Sequence, residues 1–152
     1  MIQEILSLIF MTFLPVFELR LSIPAGLFTM NLSWETVFLV TVVSNIIAGV
    51  IVFYALHYLI NFLLKFDVIK KPYNYLANRA RKKAEKKIEK YGWLALTLFI
   101  AIPLPGSGVW TGALIAHLFD IKFKKFLIAD ILGVLIAGTI VTAVSLGVVS
   151  FL

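Results

Sequence analysis

Two segments of this chain carry no charged residue over lengths that a soluble domain rarely allows. Thr36–Leu64 and Tyr91–Phe119 each run for 29 residues without Asp, Glu, Lys or Arg. About 20 apolar residues are enough for a helix to cross the hydrocarbon of a bilayer. Met1–Met30 and Phe126–Leu152 are almost as apolar. Because 61% of the 152 residues are hydrophobic, we predict an all-α integral membrane protein with one membrane domain, 1–152.

The first and third apolar segments are interrupted near their middles. Pro15 and Pro24 break the first segment, and Pro103-Leu104-Pro105-Gly106 breaks the third. Proline removes a helical hydrogen bond and its ring clashes with the preceding turn. In hydrocarbon, broken backbone is tolerated only where it is buried in protein or lines a cavity. Each broken segment is therefore predicted to be a re-entrant hairpin, whose arms of about ten residues reach roughly half the bilayer.

The positive charges predict the topology. Ten lysines and arginines lie between the second and third segments: Lys65, Lys70, Lys71, Arg79, Arg81, Lys82, Lys83, Lys86, Lys87 and Lys90. Three more follow the third segment: Lys122, Lys124 and Lys125. By the positive-inside rule, loop 65–90 is cytoplasmic, and the protein is expected in the cytoplasmic membrane. A re-entrant third segment keeps the last three lysines on the same side.

The two halves of the chain resemble each other. Asn31–Val52 aligns without gaps on Asp120–Val141 at an offset of 89, and 47–52 matches 136–141 at five of six positions. With the third segment re-entrant, the aligned helices run in opposite directions. We therefore predict an inverted repeat, with halves 1–64 and 91–152. Paired broken segments in such repeats are a pointer to a transporter's binding site.

The basic loop between the halves has helical periodicity. One mildly apolar face recurs every three or four residues: Tyr73, Ala77, Ala80, Ala84, Ile88 and Tyr91. The pattern predicts an amphipathic cytoplasmic helix on the anionic inner leaflet. Its expected role is orientation and anchoring, and it would also concentrate anionic headgroups. Membrane lipids are thus expected partners, and nucleic acid is not.

Glu18 and Arg20 lie inside the first apolar segment. Burying such charges in a bilayer costs about 2.5–3.5 kcal/mol even on the lenient insertion scale. One hypothesis makes Glu18 a proton or cation site, because desolvation favours a neutral carboxyl, and makes Arg20 an anchor for an anionic group. The alternative is an internal Glu18–Arg20 ion pair, or Arg20 bound to the carbonyls of an unwound turn.

The break in the third segment supplies further candidate site residues. Glycines there permit close backbone approach, and helix N-termini nearby would offer free amides to an anion. The predicted binding residues are Pro103, Pro105, Gly106, Ser107, Gly108, Trp110 and Thr111. The alternative is a tight hairpin tip without a ligand.

Asp130 stands inside the start of the last helix. Either it complements the dipole of that helix, or it is a second proton site facing a central cavity. Asn45 is assigned to interhelical hydrogen bonding, and His57 and His117 to the membrane interface. The chain has no cysteine, and no nucleophile–base pair or metal cluster is visible. We therefore expect no metal, no cofactor and no enzymatic activity.

The stretches Phe13–Gly26 and Ala101–Gly112 resemble the putative small multidrug export protein family of bacterial and archaeal membrane proteins. The architecture is similar, more distantly, to the DedA/VTT superfamily, whose members carry opposed re-entrant hairpins. Those relatives are linked to lipid scrambling and to proton-dependent translocation of phosphorylated carrier lipids. The resemblance implies roles for Glu18 and Arg20 in one hairpin and for Pro103–Gly108 in the other. The second hairpin departs from the DedA pattern, since it lacks the basic residues expected there.

These observations predict a membrane transporter that moves or flips an amphipathic, anionic, lipid-like substrate, coupled to protons or a monovalent cation. Four short membrane elements enclose little volume, so a homodimer is expected. One alternative is a small multidrug exporter of lipophilic cations, in which Glu18 binds drug and protons competitively. Another is an uncoupled lipid scramblase, which needs no ion site.

Overall fold

The computed structural model describes residues 2–30, 32–104 and 106–149, without the side chains of 67–69, 76, 79–90 and 149. Its helices are α1 (Ile2–Phe13), α2 (Glu18–Thr29), α3 (Trp34–Leu63), α4 (Asp67–Ala101), α5 (Val109–Leu118) and α6 (Phe123–Val149). No strand occurs within those ranges. The all-α prediction is confirmed, and Pro105 lies outside the described residues.

Two of these helices, α3 and α6, are long and apolar enough to cross a membrane. Their most apolar stretches have mean hydropathies of 2.4 and 2.3. Large apolar side chains on both helices are exposed, among them Leu39, Ile51, Leu135 and Val144. Lipid rather than water suits such surfaces, because exposed apolar area is costly only against water.

Helices α3 and α6 pack in an antiparallel arrangement. A Cβ at Gly49 would lie 2.5 Å from a carboxylate oxygen of Asp130, whereas a Cβ at Gly138 would lie 2.9 Å from Val42. Later residues of one helix thus meet earlier residues of the other. The rings of Tyr54 and Phe123, 4.9 Å apart, join the last third of α3 to the start of α6. Lys122, Lys124 and Lys125 therefore lie at the same end of the molecule as the end of α3.

Helices α1 and α2 form the first hairpin, 2–29. The turn between them contains Pro15, and the hydroxyls of Thr12 and Ser22 lie 2.9 Å apart beside it. Further from the turn, a Cβ at Gly26 would lie 3.1 Å from the Leu8 side chain. This order of contacts makes the two helices antiparallel, and each has 12 residues.

The predicted surface helix is not a separate element. Helix α4 runs for 35 residues and joins the basic segment directly to Tyr91–Ala101. Gly92 is the one residue near that junction that disfavours a helix, and an interior glycine costs only about 1 kcal/mol relative to alanine. After the break at 102–108, α5 returns beside α4, since a Cβ at Gly112 would lie 2.9 Å from Ile100. Residues 91–118 form the second hairpin.

Candidate functional site

The tips of the two hairpins meet, and a buried ion pair lies between them. Glu18, the first residue of α2, is only 4% exposed. One of its carboxylate oxygens, Oε2, accepts a hydrogen bond from Nη1 of Arg20. The Arg20 side chain is 13% exposed. The structure therefore brings the two charges near the middle of the first apolar segment into a single pair.

The second terminal nitrogen of Arg20 reaches into the other half of the chain. Nη2 donates to the carbonyl oxygens of Ile102 at 3.1 Å and Ile100 at 3.3 Å, and lies 3.2 Å from the Ser107 hydroxyl. These carbonyls belong to the end of α4, where helix carbonyls lack intrahelical partners. A cation at a helix C-terminus is also favoured by the helix dipole. Two structural roles for Arg20 follow from the sequence, an ion pair with Glu18 or binding to backbone carbonyls. Arg20 makes both kinds of contact here.

Glu18 makes the complementary contact with the start of α5. Its Oε1 accepts a hydrogen bond from the backbone N–H of Trp110 at 3.4 Å. Trp110 is the second residue of α5, and amides there have no helical acceptor. The pair thus places its negative charge at one helix N-terminus and its positive charge at another helix C-terminus, the arrangement that both dipoles favour.

The turn of the second hairpin is shaped around this pair. A Cβ on Gly108 would overlap the carboxylate of Glu18 and Nη1 of Arg20, so only glycine leaves room for them. Gly106 is exposed and has a φ of +82°, which glycine adopts without steric cost. The Ser107 hydroxyl lies 2.6 Å from the carbonyl oxygen of Ile102 and so holds the turn closed. Pro103 is half-buried in the same turn.

Glu18 itself has a strained backbone. Its φ is +44°, which is rare for a residue other than glycine and costs about 1–3 kcal/mol. Two buried hydroxyls support this conformation: Ser22 donates to the Glu18 carbonyl at 2.6 Å, and Thr12 lies 2.9 Å from Ser22. Neither Thr12 nor Ser22 is among the site residues predicted from the sequence. Ser22 could have been found from its position one helical turn after Glu18.

Asp130 lies apart from the turn but inside the same protein core. It is 0% exposed, and neither carboxylate oxygen has a hydrogen-bond partner among the described residues. The dipole explanation for Asp130 is wrong, because it is the eighth residue of α6 and the dipole acts only within the first turn. Asn45, one turn before Gly49 on α3, is also buried. Glu18 and Asp130 lie on helices that pack against each other, since α2 contacts α6.

The remaining candidates surround the pair less closely. The Trp110 ring is half-buried, and its Nε1 has no hydrogen-bond partner among the described residues. Thr111 is half-buried in α5. The rings of His57 and His117 lie 5.7 Å apart near the end of α3, far along that helix from Gly49. No group of three potential metal ligands occurs in the described part of the chain.

Comparison with known proteins adds one finding. The model of the family described as "Putative small multi-drug export protein" matches residues 18–140. The matched range begins at Glu18 and includes Arg20, the 102–108 turn and Asp130. No curated protein and no solved structure matches the chain.

Proposed function

The chain belongs to the Putative small multi-drug export protein family, and on that basis we propose that it is a membrane transporter with an ion-coupled site between two re-entrant hairpins. Its substrate is an amphipathic anion, such as a lipid-like molecule with an acidic headgroup. The observation that carries the proposal is the buried Glu18–Arg20 pair at the meeting point of the hairpin tips. Charges so deep in an apolar chain are rare outside substrate and ion pathways.

The element bounds support an inverted repeat. The first residues of α3 and α6 are 89 positions apart in the sequence, and so are the last residues of α2 and α5. The last residues of α1 and α4 are 88 positions apart. The packing has the same symmetry. In each half the first arm of the hairpin contacts the long helix of its own half, α1 with α3 and α4 with α6. The second arm contacts the long helix of the other half, α2 with α6 and α5 with α3. Because α3 and α6 are antiparallel, the pseudo-two-fold axis that relates the two halves is perpendicular to these helices. If the helices cross a membrane, this axis lies in the membrane plane.

The two hairpins enter this arrangement from opposite ends. The open end of the first hairpin is beside the start of α3, where a Cβ at Gly26 would lie 2.8 Å from Val37. The open end of the second hairpin is beside the end of α3, where Nε2 of His117 donates to the carbonyl of Phe53 at 2.8 Å. Arms of 10 to 12 residues reach only about 15–18 Å, roughly half the hydrocarbon thickness.

The site suggests how ion and substrate compete. In this structure Glu18 occupies the guanidinium face that an anionic headgroup would need. A proton on Glu18 removes the negative charge that holds Arg20, whereas Arg20 stays charged. An incoming phosphate or carboxylate then replaces Glu18 as its partner, with a similar fork of hydrogen bonds. A lipophilic cation is disfavoured at this site, because Arg20 lies in direct contact with Glu18.

Transport in proteoliposomes tests the proposal. We expect the purified protein to move a fluorescent short-chain phosphatidylglycerol faster than the matching phosphatidylcholine, and faster still under an acid gradient. Glu18→Gln should remove the effect of the gradient. Arg20→Lys should slow the anionic probe about tenfold, the equivalent of about 1.4 kcal/mol, because lysine cannot reproduce the planar fork.

The exposed residues Glu35 and Lys124 supply matched controls. Glu35→Gln and Lys124→Arg should behave as the unmodified protein. Equal rates for both lipids, unaffected by the gradient or by Glu18→Gln, would indicate an uncoupled scramblase instead. Movement of ethidium, abolished by Glu18→Gln, together with no movement of either lipid, would favour a cation exporter.

Cysteine labelling tests the proposed topology, and the chain has no native cysteine to interfere. Single cysteines at Ser33 and Ser150 should react with an impermeant thiol reagent on intact cells, while cysteines at Lys83 and Lys122 should be protected. Opening the cells should expose the protected pair. If Lys122→Cys is labelled from outside, residues 91–118 span the membrane and the re-entrant arrangement is wrong.

A further inference from the structure

Asp130 has surroundings that the Glu18–Arg20 pair does not explain. Its carboxyl is packed against Gly49 of α3, and the residue is 0% exposed. Among the described residues, no donor satisfies either oxygen. The free amides of α6 are confined to its first four residues, and Asp130 is the eighth. An ionised carboxylate in such a place costs several kcal/mol.

A metal ion does not fit this position. Calcium takes six to eight oxygen ligands, and magnesium needs a nearly ideal octahedron. The carboxyl of Asp130 instead faces the backbone of Gly49, with too little space even for a methyl group, since a Cβ there would lie 2.5 Å from Oδ2. A proton is the one ligand that needs no additional space. It converts the group into a neutral acid that an apolar core accepts.

The other buried acid among the described residues is Glu18, at the start of α2, and α2 packs against α6. The other neighbouring helices present uncharged groups at this level: Gly49 and Asn45 on α3, and Thr97 and Ile100 on α4, which face α6 at Gly133. The other titratable groups of α5 and α6 are His117, Lys124 and Lys125, all toward the start of α6. An apolar core that holds two buried acids accommodates one bound proton more easily than two negative charges.

We propose that Asp130 is a proton-binding site of this protein, and that its proton passes to Glu18 when Arg20 is released to bind an anion. In this step one O–H bond of the Asp130 carboxyl breaks and one forms at the Glu18 carboxylate, so the charge of the two acids together is unchanged. The inference rests on the proposed function, and it assigns the coupling proton in the resting state to Asp130. Glu18 in that state remains ionised and paired with Arg20.

The test compares Asp130→Asn with Asp120→Asn in the proteoliposome assay over a range of pH. Asp120 is exposed and has a φ of +57°, which asparagine also tolerates, so it is a matched control. Asp130→Asn should lose the acceleration by an acid gradient while keeping the preference for the anionic probe, because Arg20 is intact. Asp120→Asn should keep both.

The outcomes separate this inference from the proposed function. If the unmodified protein shows neither anion preference nor gradient dependence, the proposed function fails. If the unmodified protein shows both and Asp130→Asn retains both, the assignment of Asp130 alone is overturned.

Infrared spectroscopy provides a second measurement that does not depend on transport. The protein at neutral pH should show the C=O stretch of a protonated carboxylic acid. That band should persist in Glu18→Gln and disappear in Asp130→Asn. Its persistence in Asp130→Asn would equally overturn the assignment.

Discussion

Replacing Arg20 by glutamine is expected to destabilise the protein by about 3–5 kcal/mol, the usual cost of removing one partner from a buried ion pair. The loss has two parts in this structure. The Glu18 carboxylate remains buried without its counter-ion, and the carbonyls of Ile100 and Ile102 lose a donor from the opposite hairpin. Thermal or denaturant unfolding in a fixed detergent measures the effect.

A double-mutant cycle identifies the cause of that destabilisation. Glu18→Gln combined with Arg20→Gln should recover much of the stability, because no unpaired charge remains in the core. Lys124→Gln, which removes an exposed cation from α6, should change stability by no more than about 0.5 kcal/mol. If Arg20→Gln is no more harmful than Lys124→Gln, the pair contributes nothing to joining the hairpins.

Gly108→Ala is expected to abolish transport and to destabilise the protein by more than an ordinary glycine substitution does. The added methyl group would overlap both the Glu18 carboxylate and Arg20 Nη1, so the ion pair must move. Overpacking a well-packed site costs about 1–3 kcal/mol, and any loss of the pair adds to that. Unfolding and translocation of the anionic probe should be measured on the same preparation.

Two other glycines distinguish the cost of overlap with the ion pair from the cost of replacing any glycine. Gly106 has a φ of +82°, but no described residue other than its chain neighbours lies within 4 Å of an added Cβ, so Gly106→Ala reports the backbone cost alone. For Gly147, in α6, no other part of the described structure lies within 4 Å of the position that an added methyl group would take, apart from the adjacent helix backbone, so Gly147→Ala should be neutral or slightly stabilising. If Gly108→Ala matches Gly106→Ala in both stability and rate, close approach of the turn to the ion pair is not required.

Much of the fold follows from local sequence patterns. The length of the unbroken apolar segments Thr36–Leu64 and Phe126–Leu152 predicts α3 and α6, because an apolar chain in lipid must satisfy its backbone within its own helix. The breaks at Pro15 and at Pro103 are found where proline and glycine predict them. The join of the basic segment to Tyr91–Ala101 was not predicted, because a charge pattern reports which surface a residue prefers and not where a helix ends.

The site was predicted only in part. Glu18, Arg20 and the 102–108 turn could be selected because charges and broken backbone are costly in hydrocarbon. Nothing in the local pattern showed that Arg20 would bind carbonyls at the end of α4, some 80 residues away. The same holds for Gly108, whose missing side chain matters only because the Glu18 carboxylate approaches it.

The sequence by itself therefore determined the elements of this protein: helices long enough for a membrane, two broken segments, and two charges that require burial in protein. These follow from hydrogen bonding and transfer energies within a few consecutive turns. The tertiary structure alone decided the partners, including Arg20 with the end of α4, Glu18 with the start of α5, and Asp130 with Gly49. Partners depend on how the two hairpins pack against α3 and α6, and that packing is a property of the whole chain.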